Sequence, residues 1–191
     1  MPRVAERKSL HEARLPMDEN TVAREKTWKK PAAFVVDAIV NDGKILLMQS
    51  EASAFKNYWS LPRGEMDFSE SFKETALRFA LKETGIDCDF VALAGVVSEI
   101  VKPEDQDSPH EDKHNILFVC MLKPKNLSST HSLGGKKEWF ELSASAFPEK
   151  MTPSEKLLLK EFVLSNPAGL SSHNVFVRHA GLDYFVESFH A

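Results

Sequence analysis

The 191-residue sequence predicts an α/β protein, in which helices pack on a central mixed sheet. Two observations predict this class. Several short apolar runs rich in β-branched residues have the length and composition of strands. Two amphipathic segments of helical period stand among these runs, and each begins with residues typical of a helix N-terminus. Since the strands are interrupted by helices, a sandwich is expected rather than an all-β or an all-α fold.

The first strand is expected at Ala32–Val40, where the apolar character is nearly continuous, as in strands buried on both faces. The triplet Asn41-Asp42-Gly43 separates it from a second apolar run at Lys44–Gln49. An Asp-Gly pair between two such runs is a strong hairpin signal, because both residues adopt positive φ readily. The sequence therefore predicts an antiparallel hairpin at the start of the sheet.

A short strand at Tyr58–Pro62 leads into Arg63-Gly64, where we expect the chain to turn at the glycine. The following segment, Ser71–Thr84, has apolar residues at spacings of three and four and predicts a helix. Ser71 with Glu74 forms a capping-box pattern, and Gly85 stands where a helix C-cap belongs. The pattern thus predicts a loop followed by a helix with defined ends.

The second half of the chain continues in the same way. Strands are expected at Phe90–Val101, Asn115–Leu122 and Glu138–Leu142, with a polar loop at Lys102–His114. Thr152, Pro153 and Glu155 supply an N-cap, a proline at N1 and a glutamate at N3, and they predict the start of a second helix. The tail Asn174–Ser188 fits either a hairpin or an amphipathic helix, and its pattern does not distinguish the two.

Composition excludes several classes of protein. A net charge of −4 gives no sign of a broad nucleic-acid surface, although RNA binding at a local site stays open. Cys88 and Cys120 lack metal-ligand spacing and are expected to be buried free thiols. No apolar run is long enough to span a membrane. The first 30 residues hold eight Lys/Arg and five Asp/Glu without an apolar core, so we expect no secretory signal and a cytoplasmic location.

The loop and helix after Leu61-Pro62 carry a spaced motif. It comprises Gly64, five residues, Glu70, seven residues and Arg78, followed by Glu83, Gly85 and Ile86. In this spacing the chain resembles the Nudix (MutT-like) hydrolases, whose box reads G-x5-E-x7-R-E-U-x-E-E-x-G-U, where U is aliphatic. The resemblance covers about residues 30–165. It implies an α/β/α sandwich, with residues 1–29 and 166–191 as extensions.

Two positions depart from the family's pattern. Phe79 stands where the family has its main metal-binding glutamate, and Lys82 stands where it has the first of the paired glutamates. Glutamates at i, i+3 and i+4 of a helix share one face and can together hold Mg²⁺, which requires several oxygen ligands. Only Glu83 of the three remains. The family's carboxylate cluster therefore cannot form in this chain.

The resemblance and the substitutions together define the candidate site. If the chain is active, Glu83 and Glu70 are its catalytic candidates, and these two with Glu65 are the candidate ligands of Mg²⁺ or Mn²⁺. If no metal is used, Lys82 and Arg63, which replaces the first of two usual glycines, are candidate phosphate contacts. Structural roles in the box are expected for Gly64, Arg78 and Gly85. Arg78 is expected to pair with Glu74 at i, i+4.

Three functions follow from this site. The first is hydrolysis of a phosphoanhydride bond in a nucleoside diphosphate linked to another moiety. The second is a catalytically impaired module that binds a nucleotide or RNA, or regulates a partner. The third is an interaction domain, with the N-terminal extension and Asn174–Ser188 forming a homodimer contact. The substitutions favour the second, whereas the family resemblance favours the first.

Overall fold

A computed structural model describes residues 30–49, 56–103, 112–128, 135–165, 171–180 and 183–190. The strands, in chain order, are β1 (Ala32–Asn41), β2 (Lys44–Gln49), β3 (Trp59–Ser60), β4 (Arg63–Glu65), β5 (Cys88–Pro103), β6 (Lys113–Pro124), β7 (Lys137–Glu141), β8 (Ser171–Ala180) and β9 (Asp183–His190). The helices are α1 (Phe72–Phe79) and α2 (Pro153–Leu158), and each continues as a wider π-helical turn, at Ala80–Thr84 and Leu159–Leu164.

The strands form one mixed sheet in the order β3-β2-β1-β6-β5-β8-β9, with β4 paired to β1 and β7 paired to β2. β1 runs parallel to β6 over eight residue pairs, from Ala32↔Asn115 to Ile39↔Leu122. β2 and β4 are antiparallel to β1, and β5 is antiparallel to β6. The predicted mixed sheet is therefore confirmed.

The two faces of the sheet carry separate apolar layers. Along β1, Val35 and Ile39 pack towards α1, whereas Val36 and Ala38 pack towards α2, and all four are fully buried. This alternation follows from the period of two along a strand. The layers on both faces confirm the α/β/α sandwich and explain why the β1 sequence is almost continuously apolar.

The local signals at the first hairpin and at α1 are confirmed. Asp42 and Gly43 have φ values of 46° and 74°, and they connect β1 to β2. Ser71 and Glu74 form the expected capping box at the start of α1. Gly85 ends the helix with a left-handed φ of 71°, and its N–H donates to the Leu81 carbonyl at 2.8 Å.

Other expectations need correction. The turn expected at Arg63-Gly64 is wrong, because both residues lie in β4 and pair with Val36 and Val35 of β1. The loop expected at Lys102–His114 is shorter, because both neighbouring strands extend into it, and residues 104–111 lie outside the described part.

The tail forms a hairpin, not a helix. β8 pairs antiparallel with β9 and parallel with β5, from Gly95↔Ser171 to Pro103↔His179. The tail is a strand because β8 forms backbone hydrogen bonds with β5, and the tail's own sequence pattern does not indicate this pairing.

The two cysteines are free and buried, as expected. Burial raises the pKa of the Cys88 and Cys120 thiols to about 12. Both side chains belong to the apolar layer under α1. Their role in this part of the molecule is packing.

Candidate functional site

Glu70 is held by the loop and helix that surround it. Its carboxylate accepts hydrogen bonds from Arg78 Nε at 2.7 Å, from the Thr75 hydroxyl at 2.8 Å and from the Asp67 N–H at 3.2 Å. A second guanidinium nitrogen of Arg78 also contacts it. The hydrogen bond from Arg78 is the main reason that the pKa of Glu70 falls to about 2. Glu70 is thus ionised and both of its oxygens are engaged.

The expected pair between Arg78 and Glu74 is wrong. The carboxylate of Glu74 instead accepts from the Ser71 backbone N–H at 2.9 Å, closing the capping box. Arg78 reaches back over the loop to Glu70, to Asp67 at 3.2 Å and to the carbonyl of Glu65 at 3.4 Å. The arginine thereby fixes the loop ahead of α1 to the helix.

Gly64 and Phe79 are in direct contact. A Cβ added at Gly64 would overlap the ring of Phe79. The close approach is what requires glycine here, since Gly64 does not have a positive φ. The aromatic ring therefore fills the space beside β4 at the position of the missing glutamate.

Two cations lie close to the Phe79 ring. The guanidinium carbon of Arg78 lies 4.5 Å from the ring centroid and Lys82 Nζ lies 5.0 Å from it, both within cation–π range. Lys82 is exposed. Its ammonium group is therefore available to a solute that approaches the Phe79 side of β4.

The residues of the box do not fit a protein-held Mg²⁺ or Mn²⁺. Phe79 and Lys82 contribute no oxygen, and Glu70 is engaged by Arg78. Glu65 is exposed and Glu83 is half-buried. Within the described ranges, no three His, Cys, Asp or Glu side chains are grouped so that they could hold a metal ion. A hard divalent cation requires several oxygen ligands, and this face offers too few.

Arg63 lies on the opposite face of β4 from Phe79 and Lys82. It pairs with Val36, which belongs to the layer under α2, whereas Gly64 pairs with Val35 and contacts Phe79. The two candidate phosphate contacts are therefore not on one face. β4 pairs with β1 along one edge, and Lys82 and Arg63 lie on opposite faces of this short strand.

The sequence did not identify the partners of Arg63. Its guanidinium lies 3.9 Å from the carboxylate of Glu99 and 5.1 Å from the Phe34 ring centroid. Glu99 is buried and also accepts from Asn115 Nδ2 at 2.9 Å. The only sequence signal for Glu99 was its position as an acidic residue inside an apolar strand. No sequence signal indicated that it would pair with Arg63.

Glu155 is a second buried carboxyl group near Arg63. The residue is only 2% exposed, and its carboxylate accepts from the Leu61 N–H at 3.2 Å and contacts the Thr152 hydroxyl. Burial raises the pKa of Glu155 to about 7, although Arg63 opposes that shift. The sequence assigned Glu155 to the N3 position of the second helix. This local role gave no indication that Glu155 contacts Leu61, which lies just before β4.

Asp37 is a third buried acid, on the α1 side of β1. It is fully buried, and neither carboxylate oxygen has a hydrogen-bond partner among the described residues. Burial raises its pKa well above the usual value. A lone aspartate in an otherwise apolar strand was the only sequence signal for it.

A model of the NUDIX domain matches residues 28–162. Nucleoside diphosphate-linked moiety X motif 6 of Xenopus laevis is 28% identical over 114 residues, covering 59% of this chain and 50% of that protein. ADP-ribose pyrophosphatase of Methanocaldococcus jannaschii is 33% identical over 89 residues, covering 47% and 50%. The chain thus spans about half the length of these two relatives.

Solved structures show the same fold. A MutT protein from Bacillus halodurans has a TM-score of 0.59 and 22% identity, covering 83% of this chain and 95% of that one. A NUDIX hydrolase from Nitrosomonas europaea has a TM-score of 0.58 and 20% identity, covering 77% and 81%. Within the described residues, no helix is long and apolar enough to cross a membrane.

Proposed function

The chain belongs to the Nudix family, and we propose that it binds a nucleoside diphosphate-linked compound without hydrolysing it by the family's metal-dependent route. The ligand class is suggested by the relatives, one named for nucleoside diphosphate-linked moieties and one for ADP-ribose. The loss of hydrolysis is suggested by the residues of this chain's own box.

The observation that carries the proposal is the position of Phe79. Its ring packs on Gly64 and lies within cation–π distance of Arg78 and Lys82, where the family has a carboxylate. A divalent cation placed there would meet a hydrocarbon ring and the like charge of Lys82. Phosphoanhydride hydrolysis through a metal requires that the ion neutralise the phosphates and activate a water. This arrangement supports neither role.

Cationic side chains could instead neutralise the phosphates. Lys82 is exposed beside Phe79, and the Arg63 side chain is 35% exposed on the other face of the same short strand. Charge-assisted hydrogen bonds from Lys or Arg to phosphate need no metal. We therefore propose that the diphosphate binds along the edge of β4 that faces away from β1, with Lys82 as its contact from one face and Arg63 as its contact from the other.

Calorimetric titration with ADP-ribose tests the proposal. Affinity should be the same with Mg²⁺ and with a chelator, and Lys82→Gln should weaken binding about tenfold, the range of one hydrogen bond to a charged group. Lys73→Gln is the matched control, because Lys73 is an exposed lysine on the same helix. Binding that strictly requires Mg²⁺ would contradict metal replacement.

The same samples test the rival function. Mg²⁺- or Mn²⁺-dependent release of AMP from ADP-ribose, lost in Glu83→Gln and Glu70→Gln, would instead establish hydrolysis with substitute ligands, including Glu65. Failure of ADP-ribose and of other nucleoside diphosphate derivatives to bind would leave the interaction-domain function. Homodimer formation would then be measured directly by sedimentation.

A further inference from the structure

A polar cluster lies on the α2 face of the sheet, beside the lead-in to β4. It consists of Arg63, Glu99, Asn115 and Glu155, and we call it the α2-face cluster. Glu99 and Glu155 are both almost completely buried, whereas Arg63 is partly exposed. The cluster therefore connects a solvent-accessible cation to two buried acids.

We infer that Glu155 is a positioning residue for Arg63, and that binding of a phosphorylated ligand at Arg63 is accompanied by net proton uptake from solvent onto the Glu155 carboxylate. This inference rests on the proposed function, since it requires an anion beside Arg63. It adds a residue outside the Nudix box to the site and predicts how affinity depends on pH.

The positioning role follows from two contacts. Glu155 accepts the Leu61 N–H at 3.2 Å and also contacts the Thr152 hydroxyl. Leu61 precedes Arg63 by two residues, and its side chain is buried. Glu155 thus joins the start of α2 to the segment that sets where β4 begins, and Arg63 depends on that connection.

The proton linkage follows from charge. The charged groups that face Glu155 in the described part are Arg63 from β4 and Glu99 from β5, and its own helix adds the Thr152 hydroxyl. With Glu155 ionised, Arg63, Glu99 and Glu155 sum to −1, and with Glu155 protonated they sum to zero. Because burial raises the pKa of Glu155 to about 7, both states are populated near neutrality.

An anion at Arg63 changes this balance. Its negative charge opposes ionisation of the nearby carboxyl and weakens the support that Arg63 gives to the ionised form, so both effects raise the pKa of Glu155 further. Linkage then requires that lower pH favour the ligand, because the ligand-bound state holds more protons. Affinity should therefore fall as pH rises through neutrality.

ADP-ribose is a suitable probe, because its diphosphate bridge has no terminal phosphate that titrates near neutrality. Its affinity for the wild-type protein should fall at least about fivefold between about pH 6 and pH 8, whereas in Glu155→Gln the change should be below about twofold. Glutamine keeps an acceptor for the Leu61 N–H but cannot titrate. Glu161→Gln, which removes a partly exposed carboxylate from the same helical segment, should retain the wild-type slope.

A second measurement does not depend on the stability of a variant. The Leu61 amide, which donates to Glu155, should titrate near neutral pH in NMR spectra of the wild-type protein, and its midpoint should move upward when ADP-ribose is added. Equal pH slopes in wild type and Glu155→Gln, or an unmoved Leu61 midpoint, would overturn the inference while leaving the proposed function intact. If neither ADP-ribose nor any other nucleoside diphosphate derivative binds at any pH, both the inference and the proposed function are contradicted.

Discussion

The ring of Phe79 lies so close to Gly64 that the glycine has no room for a side chain. This contact joins the first glycine of the Nudix box to the first of its substituted positions. In the family's pattern a glutamate occupies that position, and here an aromatic ring packs against β4 instead. The substitution has thus become part of the packing of the loop and the helix.

Gly64→Ala should lower the free energy of unfolding by about 1–3 kcal/mol, the usual cost of overpacking a filled site. Urea denaturation measures the change. Because the overlap is with the Phe79 ring, Phe79→Leu should relieve part of it, and the double variant should lose less stability than the two single changes added together. Additive losses would show that the overlap is not with this ring.

Phe79→Glu combined with Lys82→Glu should create Mg²⁺-dependent hydrolysis of ADP-ribose, because with Glu83 the three carboxylates then share one helix face. AMP release measures this gain against the wild-type protein. Lys73→Glu, which makes a single Lys-to-Glu change elsewhere on α1, should gain nothing. A folded double variant that binds Mn²⁺ and remains inert would show that carboxylate loss is not what limits this protein.

Asp37→Val should raise the free energy of unfolding by about 1–3 kcal/mol at neutral pH, since it removes a buried carboxyl that has no hydrogen-bond partner among the described residues. The raised pKa of Asp37 also determines the direction in which stability changes with pH. The folded protein retains a proton that the unfolded chain releases above about pH 4, so wild-type stability should fall as pH rises from there.

Urea denaturation as a function of pH distinguishes this effect from others. In Asp37→Asn, the fall in stability that the Asp37 proton causes as pH rises should be absent. In Asp89→Asn, at an exposed position on β5, this fall should remain. If wild type and Asp37→Asn declined equally, Asp37 would be shown not to hold a proton in the folded state.

Arg78→Gln should lower stability near pH 7 by about 1 kcal/mol, a value reduced because the Arg78 side chain is 35% exposed to solvent. The depressed pKa of Glu70 means that the pair stabilises the fold above pH 4.5 and that this contribution is lost as pH falls towards about 2. Thermal unfolding of both proteins at neutral and acid pH measures it. Lys73→Gln should show no such difference, and a penalty for Arg78→Gln that persists in acid would assign Arg78 a packing role.

The sequence determined the features that are local in the chain. The Asp42-Gly43 turn, the Ser71 cap and the Gly85 stop depend on φ preferences and on hydrogen bonds within a few residues, so their patterns were sufficient. The absence of the carboxylate cluster was equally local, because three positions on one helix face decide it. Phe79 and Lys82 were therefore recognisable as substitutions before any fold was known.

Only the tertiary structure decided which side chains meet across the molecule. Arg78 pairs with Glu70 and not with Glu74, which is nearer in the sequence, because the loop ahead of α1 folds back over the helix. Arg63 and Lys82 lie on opposite faces of β4, because Arg63 and Gly64 alternate along the strand and Gly64 faces Phe79 and its neighbour Lys82. The sequence had predicted a turn in place of this strand. Glu155 and Leu61 stand 94 residues apart, and their contact depends on α2 packing against the sheet. Such pairings arise from packing between elements, which no local pattern of residues encodes.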